Sequence, residues 1–148
     1  MRLIGIRLIF ATCLCFAPFS VVADDEVALF DSRGQATAYI ALDDALTIYL
    51  WGGKPVAYLK RDTAGGFHVY GFNGKHLGWF VGGVIRDHEG NGACAVKERF
   101  KSPPVEPFKA FKQFKPFKAF QEFAPFQPAF TTYWSDAPCR FFFAEGDD

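Results

Sequence analysis

The sequence predicts an all-β protein: a small pseudo-fourfold barrel of four β-hairpins, followed by a Pro/Phe/Lys-rich arm with a period of three residues. Two observations support this prediction. Residues 27–96 repeat a hairpin-like unit four times around a glycine. Residues 107–126 read PFKAFKQFKPFKAFQEFAPF, with a phenylalanine at every third position. The chain of 148 residues is long enough for one small domain with its own core.

The first 23 residues have the plan of a secretory signal peptide. Arg2 and Arg7 accompany an apolar run, and the small-residue sequence 21–23 suits cleavage after Ala23. The alternative is a permanent membrane anchor, for which the run is short. A lipoprotein acylated at Cys13 or Cys15 is a third alternative, which would leave an apolar stretch at the mature N-terminus. We therefore expect export to the periplasm or the extracellular space.

Cleavage would leave two cysteines, Cys94 and Cys139. An oxidising compartment permits a disulfide between them, although their separation in space cannot be read from the sequence. Two buried free thiols are the alternative. The mature chain would carry a net charge of −2, with 14 basic and 16 acidic residues. This balance gives no reason to expect a nucleic-acid partner.

The fourfold repeat is anchored on glycines spaced by 19, 21 and 16 residues. The residue four positions after each glycine is small, the residue five positions after it is large in three units, and the residue six positions after it is apolar in all four. The anchors are Gly34, Gly53, Gly74 and Gly90, and the small residues are Ala38, Ala57, Gly78 and Cys94.

Each unit is typical of a β-hairpin, because aromatic and β-branched residues flank a turn sequence rich in Gly and Asn. Asn73-Gly74 is the strongest of the four turn signals. Units this short must share one core, and a closed ring of hairpins also removes exposed sheet edges. A β-propeller is the alternative ring, but its blades need about forty residues each.

The sequences GKPVAYL (53–59), YGFNGKHLGWF (70–80) and GGVIRDHEGN (82–91) resemble the four-fold β-flower family. That resemblance implies a shallow, pseudo-symmetric barrel of repeated hairpins over residues 27–96, and it implies no activity. The tail, with Tyr133-Trp134-Ser135-Asp136, is also similar to tails of such proteins. Those tails are rich in Pro and basic residues, whereas this one is rich in Phe.

The period of three in the arm indicates a polyproline II helix. Phenylalanines at this spacing would spiral around an α-helix, and they do not match the alternation of a strand. A long 3₁₀ helix is uncommon and would need N–H donors that the prolines lack. One face would carry Phe108, Phe111, Phe114, Phe117, Phe120, Phe123 and Phe126. The second face would begin with Lys109, Lys112, Lys115 and Lys118.

The phenylalanine and lysine faces together form a candidate binding stripe. At a rise of about 3.1 Å per residue, Phe108 to Phe126 would span about 56 Å if straight, so the arm must bend around the barrel or project from it. The stripe could pack on the barrel and complete its core. It could also engage a membrane surface, with lysines toward anionic headgroups, or a protein partner. Stacking on single-stranded nucleic acid is disfavoured for an exported protein.

No catalytic or metal-binding constellation is recognisable. Asp87-His88-Glu89 precedes Gly90 and is best interpreted as a solvated turn. His68 and His76 belong to no zinc-binding motif, and no serine lies in a nucleophile elbow. We therefore expect no enzyme activity and no cofactor.

The sequence thus predicts a signal peptide (1–23), a four-hairpin domain (24–100), the arm (101–130) and an aromatic C-terminal segment with an acidic end (131–148). Its leading functional interpretation is an exported, non-enzymatic binding or structural module of unknown ligand. The alternative is a peripheral membrane protein that uses the Phe/Lys stripe.

Overall fold

Eight antiparallel strands close into a barrel in which each strand pairs with its neighbours in sequence, and the last pairs with the first. The computed structural model describes residues 25–147, so the predicted signal peptide lies outside the described residues. The all-β, four-hairpin prediction is confirmed. The strands are β1 (Glu26–Phe30), β2 (Ala36–Ala41), β3 (Thr47–Leu50), β4 (Pro55–Arg61), β5 (Phe67–Gly71), β6 (His76–Val81), β7 (Val84–Arg86) and β8 (Gly92–Ala95).

The turns that contain the anchor glycines join β1 to β2, β3 to β4, β5 to β6 and β7 to β8, so all four lie at one rim of the barrel, here called the glycine rim. All four glycines have φ between 75° and 88°, a conformation that strains any residue with a Cβ. Each hairpin also shifts register once, at an equivalent place in β1, β3, β5 and β7. The fourfold repeat of the sequence is therefore a fourfold repeat of backbone geometry.

Because side chains alternate between the two faces of a strand, the buried side chains of the barrel fall into two sets. Ala38 and Ile40 join a continuous core with Ile48, while Tyr39 belongs to a separate aromatic cluster with Tyr49. A second aromatic cluster contains Tyr58, Tyr70 and Phe72. Since neighbouring residues of a strand face opposite sides, the continuous core fills the barrel and the aromatic clusters lie on its outer wall.

A short helix, α1 (Cys139–Ala144), adds its side chains to the barrel core. Phe142 and Phe143 are buried there, and the disulfide Cys94–Cys139 ties the start of the helix to β8. Of the two alternatives that the sequence left open, the structure contains the disulfide, and Cys94 occupies the small position of its repeat. The helix itself was not predicted from the sequence.

A 3₁₀ turn (Lys97–Arg99) leads from β8 into the arm, which forms neither helix nor strand over residues 101–130. The arm contacts the four turns of the glycine rim in chain order, so it bends around the barrel and does not project from it. Within residues 25–147, no helix is long and apolar enough to cross a membrane.

Candidate binding surface

The arm is attached to the glycine rim through main-chain hydrogen bonds. At the second turn, Ala110 N–H donates to the Trp51 carbonyl (3.2 Å) and Gln113 N–H donates to the Gly53 carbonyl (2.9 Å). Ala119 and Glu122 repeat this pair at the third turn, with Phe72 (2.8 Å) and Gly74 (2.9 Å) as acceptors. Thr131 N–H then donates to the Gly90 carbonyl at the fourth turn (3.1 Å).

These contacts recur every nine residues, and this period explains the spacing of the prolines. Every third residue of the arm belongs to one series, which runs 107, 110, 113, 116, 119, 122 and onward. Where a turn lies opposite, the series donates to its carbonyls. Pro107, Pro116 and Pro125 fall in the same series, and a prolyl nitrogen has no hydrogen that would need an acceptor. One nine-residue unit of the arm therefore spans the distance between two neighbouring hairpins.

The turn glycines also allow the close approach of the arm. A Cβ added to Gly53 would overlap the carbonyl oxygen of Phe111, and a Cβ on Gly74 would overlap that of Phe120. At Gly90 the overlap is with the carbonyl oxygen of Ala129. At Gly34 the arm is farther away, with Pro104 at 3.9 Å from the added atom. Three of the four glycines thus serve both the hairpin turn and the attachment of the arm.

Lysine side chains fill the spaces between the arm and the outer aromatic clusters. The ammonium of Lys109 lies 4.8 Å from the ring centre of Tyr39, and that of Lys118 lies 4.0 Å from the ring centre of Tyr58. Both distances suit cation–π attraction. Tyr39 pairs with Tyr49 across β2 and β3, and Tyr58 pairs with Tyr70 across β4 and β5. Equivalent junctions of the barrel therefore receive equivalent lysines.

Carboxylates of the barrel form ion pairs with three lysines of the arm. Glu26 pairs with both Lys109 and Lys112, and Asp44 pairs with Lys115. Burial disfavours ionised Glu26, but its hydrogen bonds with the two lysines outweigh this and lower its pKa. Hydrogen bonds from Lys115 and from the Tyr49 hydroxyl lower the pKa of Asp44. These carboxylates therefore stay ionised and hold the arm at neutral pH.

The seven phenylalanines point away from the barrel. Their exposed fractions run from 94% to 102%, so the rings contact almost nothing in the chain. The structure therefore does not place the stripe in the barrel core. It also separates the candidate stripe into two sets, since the lysines face inward, and this corrects the expectation that both residue types form one surface. We call the outward set the Phe belt: Phe108, Phe111, Phe114, Phe117, Phe120, Phe123 and Phe126.

The three histidines of the chain form a second group, which was not predicted from the sequence. His68 Nδ1 lies 3.1 Å from His76 Nε2, and His76 Nδ1 lies 3.0 Å from His88 Nε2. His88 thus belongs to a hydrogen-bonded row, and the interpretation as a solvated turn was incomplete. Three neutral imidazoles satisfy such a row, because each has one donor and one acceptor nitrogen. The predicted hairpin of β5 and β6 could have indicated that His68 and His76 lie close together. No comparable signal in the sequence included His88.

The row of histidines does not form a recognisable catalytic or metal site. Both nitrogens of His76 already have a hydrogen-bond partner in a neighbouring imidazole. Among the residues that the structure describes, no group of three or more His, Cys, Asp or Glu could hold a metal ion. Both Cys94 and Cys139 are in the disulfide. The Phe belt is therefore the better candidate for function.

The row should make folding sensitive to acid. His76 is only 2% exposed, and burial together with His88 and His68 lowers its pKa to about 4, from 6.5. The unfolded chain therefore binds a proton at a pH where folded His76 stays neutral, so stability falls as the pH drops from 6.5 to 4. We expect a loss of about 3 kcal/mol, measured by urea unfolding. A His76→Gln variant should lose most of this dependence, and an unchanged dependence would contradict the assignment.

A closed barrel of four equivalent hairpins, encircled by a segment that repeats in step with them, defines a class of pseudo-fourfold β-proteins. A family model described as 4-fold beta flower protein matches residues 27–143, and the chain belongs to that family. The match extends beyond residue 96, so it includes the arm and helix α1 as well as the barrel. No curated protein and no solved structure matches the chain significantly.

Proposed function

We propose that this protein is a non-enzymatic binding module whose Phe belt docks on an apolar surface of a protein partner. The proposal rests on the outward orientation of seven phenylalanines. They recur at every third position of a segment that is attached to the barrel through its other groups. An isolated exposed apolar residue is ordinary, whereas a contiguous series of this length indicates an interaction site.

The area of the belt is sufficient for a specific interface. A phenylalanine can bury roughly 150–250 Å², so the seven rings offer on the order of 1,000 Å² or more. A standard protein–protein interface takes about 800 Å² from each partner. Burying each ring contributes about 1.5–3 kcal/mol, so covering the belt has a large favourable free energy.

The belt is also preorganised for binding. Main-chain hydrogen bonds, lysine–tyrosine contacts and ion pairs hold the arm in place before any partner arrives. Side-chain hydrogen bonds add to them, from Gln121 to the Tyr58 hydroxyl (2.9 Å) and from Tyr70 to the Glu122 carbonyl (3.1 Å). A partner therefore needs to order little more than the rings themselves, which lowers the entropic cost of binding.

A membrane surface is the less favoured target. Interfacial binding to anionic lipids draws on exposed lysines beside the apolar residues. Lys109, Lys112 and Lys115 are instead paired with carboxylates of the barrel. Three of the four lysines beside the belt are therefore not free to meet anionic headgroups. For the compartment, we propose export, which the buried disulfide supports because such bonds persist in oxidising environments.

Photo-crosslinking in the organism that makes the protein tests this proposal. The photoreactive analogue p-benzoyl-phenylalanine would replace Phe117 or Phe120 in the belt, one at a time. Both rings are completely exposed, so the analogue should not disturb folding. We expect discrete protein adducts after irradiation. The matched control carries the analogue at Leu42, which is exposed but lies outside the belt, and it should give none of these adducts.

The chemistry of the adducts decides between the targets. Protein adducts confined to belt positions support the proposal. Adducts to lipid alone would overturn it in favour of the membrane alternative. Equal labelling from Leu42 and from Phe117, or no adduct from the belt, would show that the belt does not recognise a partner.

A further inference from the structure

We propose that the belt contains two equivalent docking faces and that each accepts the same face of a second copy of this chain. This inference rests on the proposed function and names the partner. The first face belongs to unit one, residues 107–115, and the second to unit two, residues 116–124. The sequences PFKAFKQFK and PFKAFQEFA are identical at six of nine positions.

The two units are equivalent in structure as well as in sequence. Each donates two main-chain hydrogen bonds to a turn, and each places a carbonyl oxygen against the turn glycine. Each sets a lysine over a tyrosine of the outer wall. Each exposes three phenylalanines almost completely, at 94–101% in unit one and 100–102% in unit two. Since the units attach to neighbouring hairpins of a four-hairpin ring, the faces lie about a quarter turn apart.

The spacing of the rings favours an identical partner. At the polyproline II rise that the period of three predicts for the arm, phenylalanines three residues apart are separated by about 9 Å along its axis. This gap can receive one ring from an opposing unit, which would place alternate rings about 4.6 Å apart. Aromatic pairs prefer ring centres roughly 4.5–7 Å apart, so two such units can interdigitate with favourable ring contacts. A partner with another spacing would fill the gaps less well.

Charge does not oppose the contact between two copies. Lys109 and Lys112 turn toward Glu26. The Glu122 carboxylate accepts a hydrogen bond from the main-chain N–H of His76 (2.6 Å). The other positions between the rings are occupied by Ala, Gln and Pro as well as Glu122. Two faces can therefore meet without bringing unpaired like charges together, which would disfavour association.

The area of one face fits a weak but specific contact. Three phenylalanines offer roughly 450–750 Å², so two opposed faces would bury about 900–1,500 Å². Specific interfaces begin near 1,200 Å², so a pair of faces reaches the lower end of this range. Because each chain has two faces, association continues beyond the dimer.

Sedimentation velocity of the purified, oxidised chain tests the inference over a range of concentrations. One variant replaces Phe108, Phe111 and Phe114 by serine, a second replaces Phe117, Phe120 and Phe123, and a third combines both sets. These rings contact almost nothing in the chain, so unchanged thermal unfolding should verify the fold. The matched control, Leu42→Ser/Tyr133→Ser/Phe141→Ser, removes three exposed apolar side chains outside the belt.

We expect the original chain and the control to form species larger than dimers as concentration rises. Each single-unit variant should stop at the dimer, and the combined variant should be monomeric. A monomeric original chain would overturn the inference, as would single-unit variants that behave differently from each other. If the chain is monomeric but belt positions still crosslink to a foreign protein, this inference fails and the proposed function stands. If neither association nor adducts occur, both fail.

Discussion

Replacing Cys94 and Cys139 together by alanine should lower the free energy of unfolding by about 4 kcal/mol, measured by urea denaturation at neutral pH. The disulfide joins residues 45 positions apart, and both cysteines are completely buried. Without the bond, the unfolded chain gains conformational freedom, which stabilises it relative to the folded state. The loss is a large part of the 5–15 kcal/mol that stabilises a typical domain. Alanine is preferred to serine, since a buried hydroxyl would need a partner.

Reduction of the original chain provides the matched comparison. If the chain-entropy effect dominates, dithiothreitol should lower its stability by a similar amount, while the alanine variant should not respond to the reductant. Helix α1 also places Phe142 and Phe143 in the barrel core, which is a second attachment of the helix besides the bond. A loss below about 1 kcal/mol would contradict the prediction and show that this packing alone anchors the helix.

Replacing Gly74 by alanine should detach unit two of the arm and lower the free energy of unfolding by about 2–5 kcal/mol. The left-handed backbone, with φ at 87°, contributes about 1–2 kcal/mol of this loss. The rest arises because the new Cβ would overlap the Phe120 carbonyl oxygen, and the arm must move away. The hydrogen bonds of Ala119 and Glu122 to the third turn would then be lost, each contributing about 0.5–1.5 kcal/mol. Urea unfolding measures the total.

Gly65→Ala is the matched control for this experiment. Gly65 also has a left-handed backbone, with φ at 94°, but an added Cβ meets nothing within 4 Å. This variant should lose only the backbone contribution of about 1–2 kcal/mol. Limited chymotrypsin digestion supplies a second measurement, because a detached unit should be cut at Phe117 or Phe120 while the Gly65 variant stays resistant. Equal stability losses and equal cleavage would show that Gly74 does not support the arm.

The barrel was predictable because its signals are local. A hairpin turn needs glycine or asparagine at particular positions, and the four anchor glycines carry that requirement in the sequence. The period of three in the arm is equally local, and so is the recurrence of Pro107, Pro116 and Pro125 every nine residues. The reason for the nine-residue period could not be read from the local sequence. The period corresponds to the distance between neighbouring hairpins, which exists only once the barrel has closed.

The row of histidines and helix α1 were not predictable for related reasons. His68 and His88 lie on opposite sides of His76 in space, and the side-by-side pairing of β5, β6 and β7 brings them together. Helix α1 has only six residues and no side-chain cap, so its sequence has weak helical signals. Its contacts with the barrel core and its disulfide stabilise it instead.

By itself, the sequence determined the hairpin repeat, the family and a three-faced arm, one face of which consists of seven phenylalanines. Only the tertiary structure decided which face of the arm turns outward. Burial of the phenylalanines was the natural expectation from their hydrophobicity. The outer wall of the barrel is already filled by its own aromatic rings, which present faces that suit ammonium groups, with Glu26 and Asp44 beside them. The lysines therefore meet the barrel, and the phenylalanines face outward.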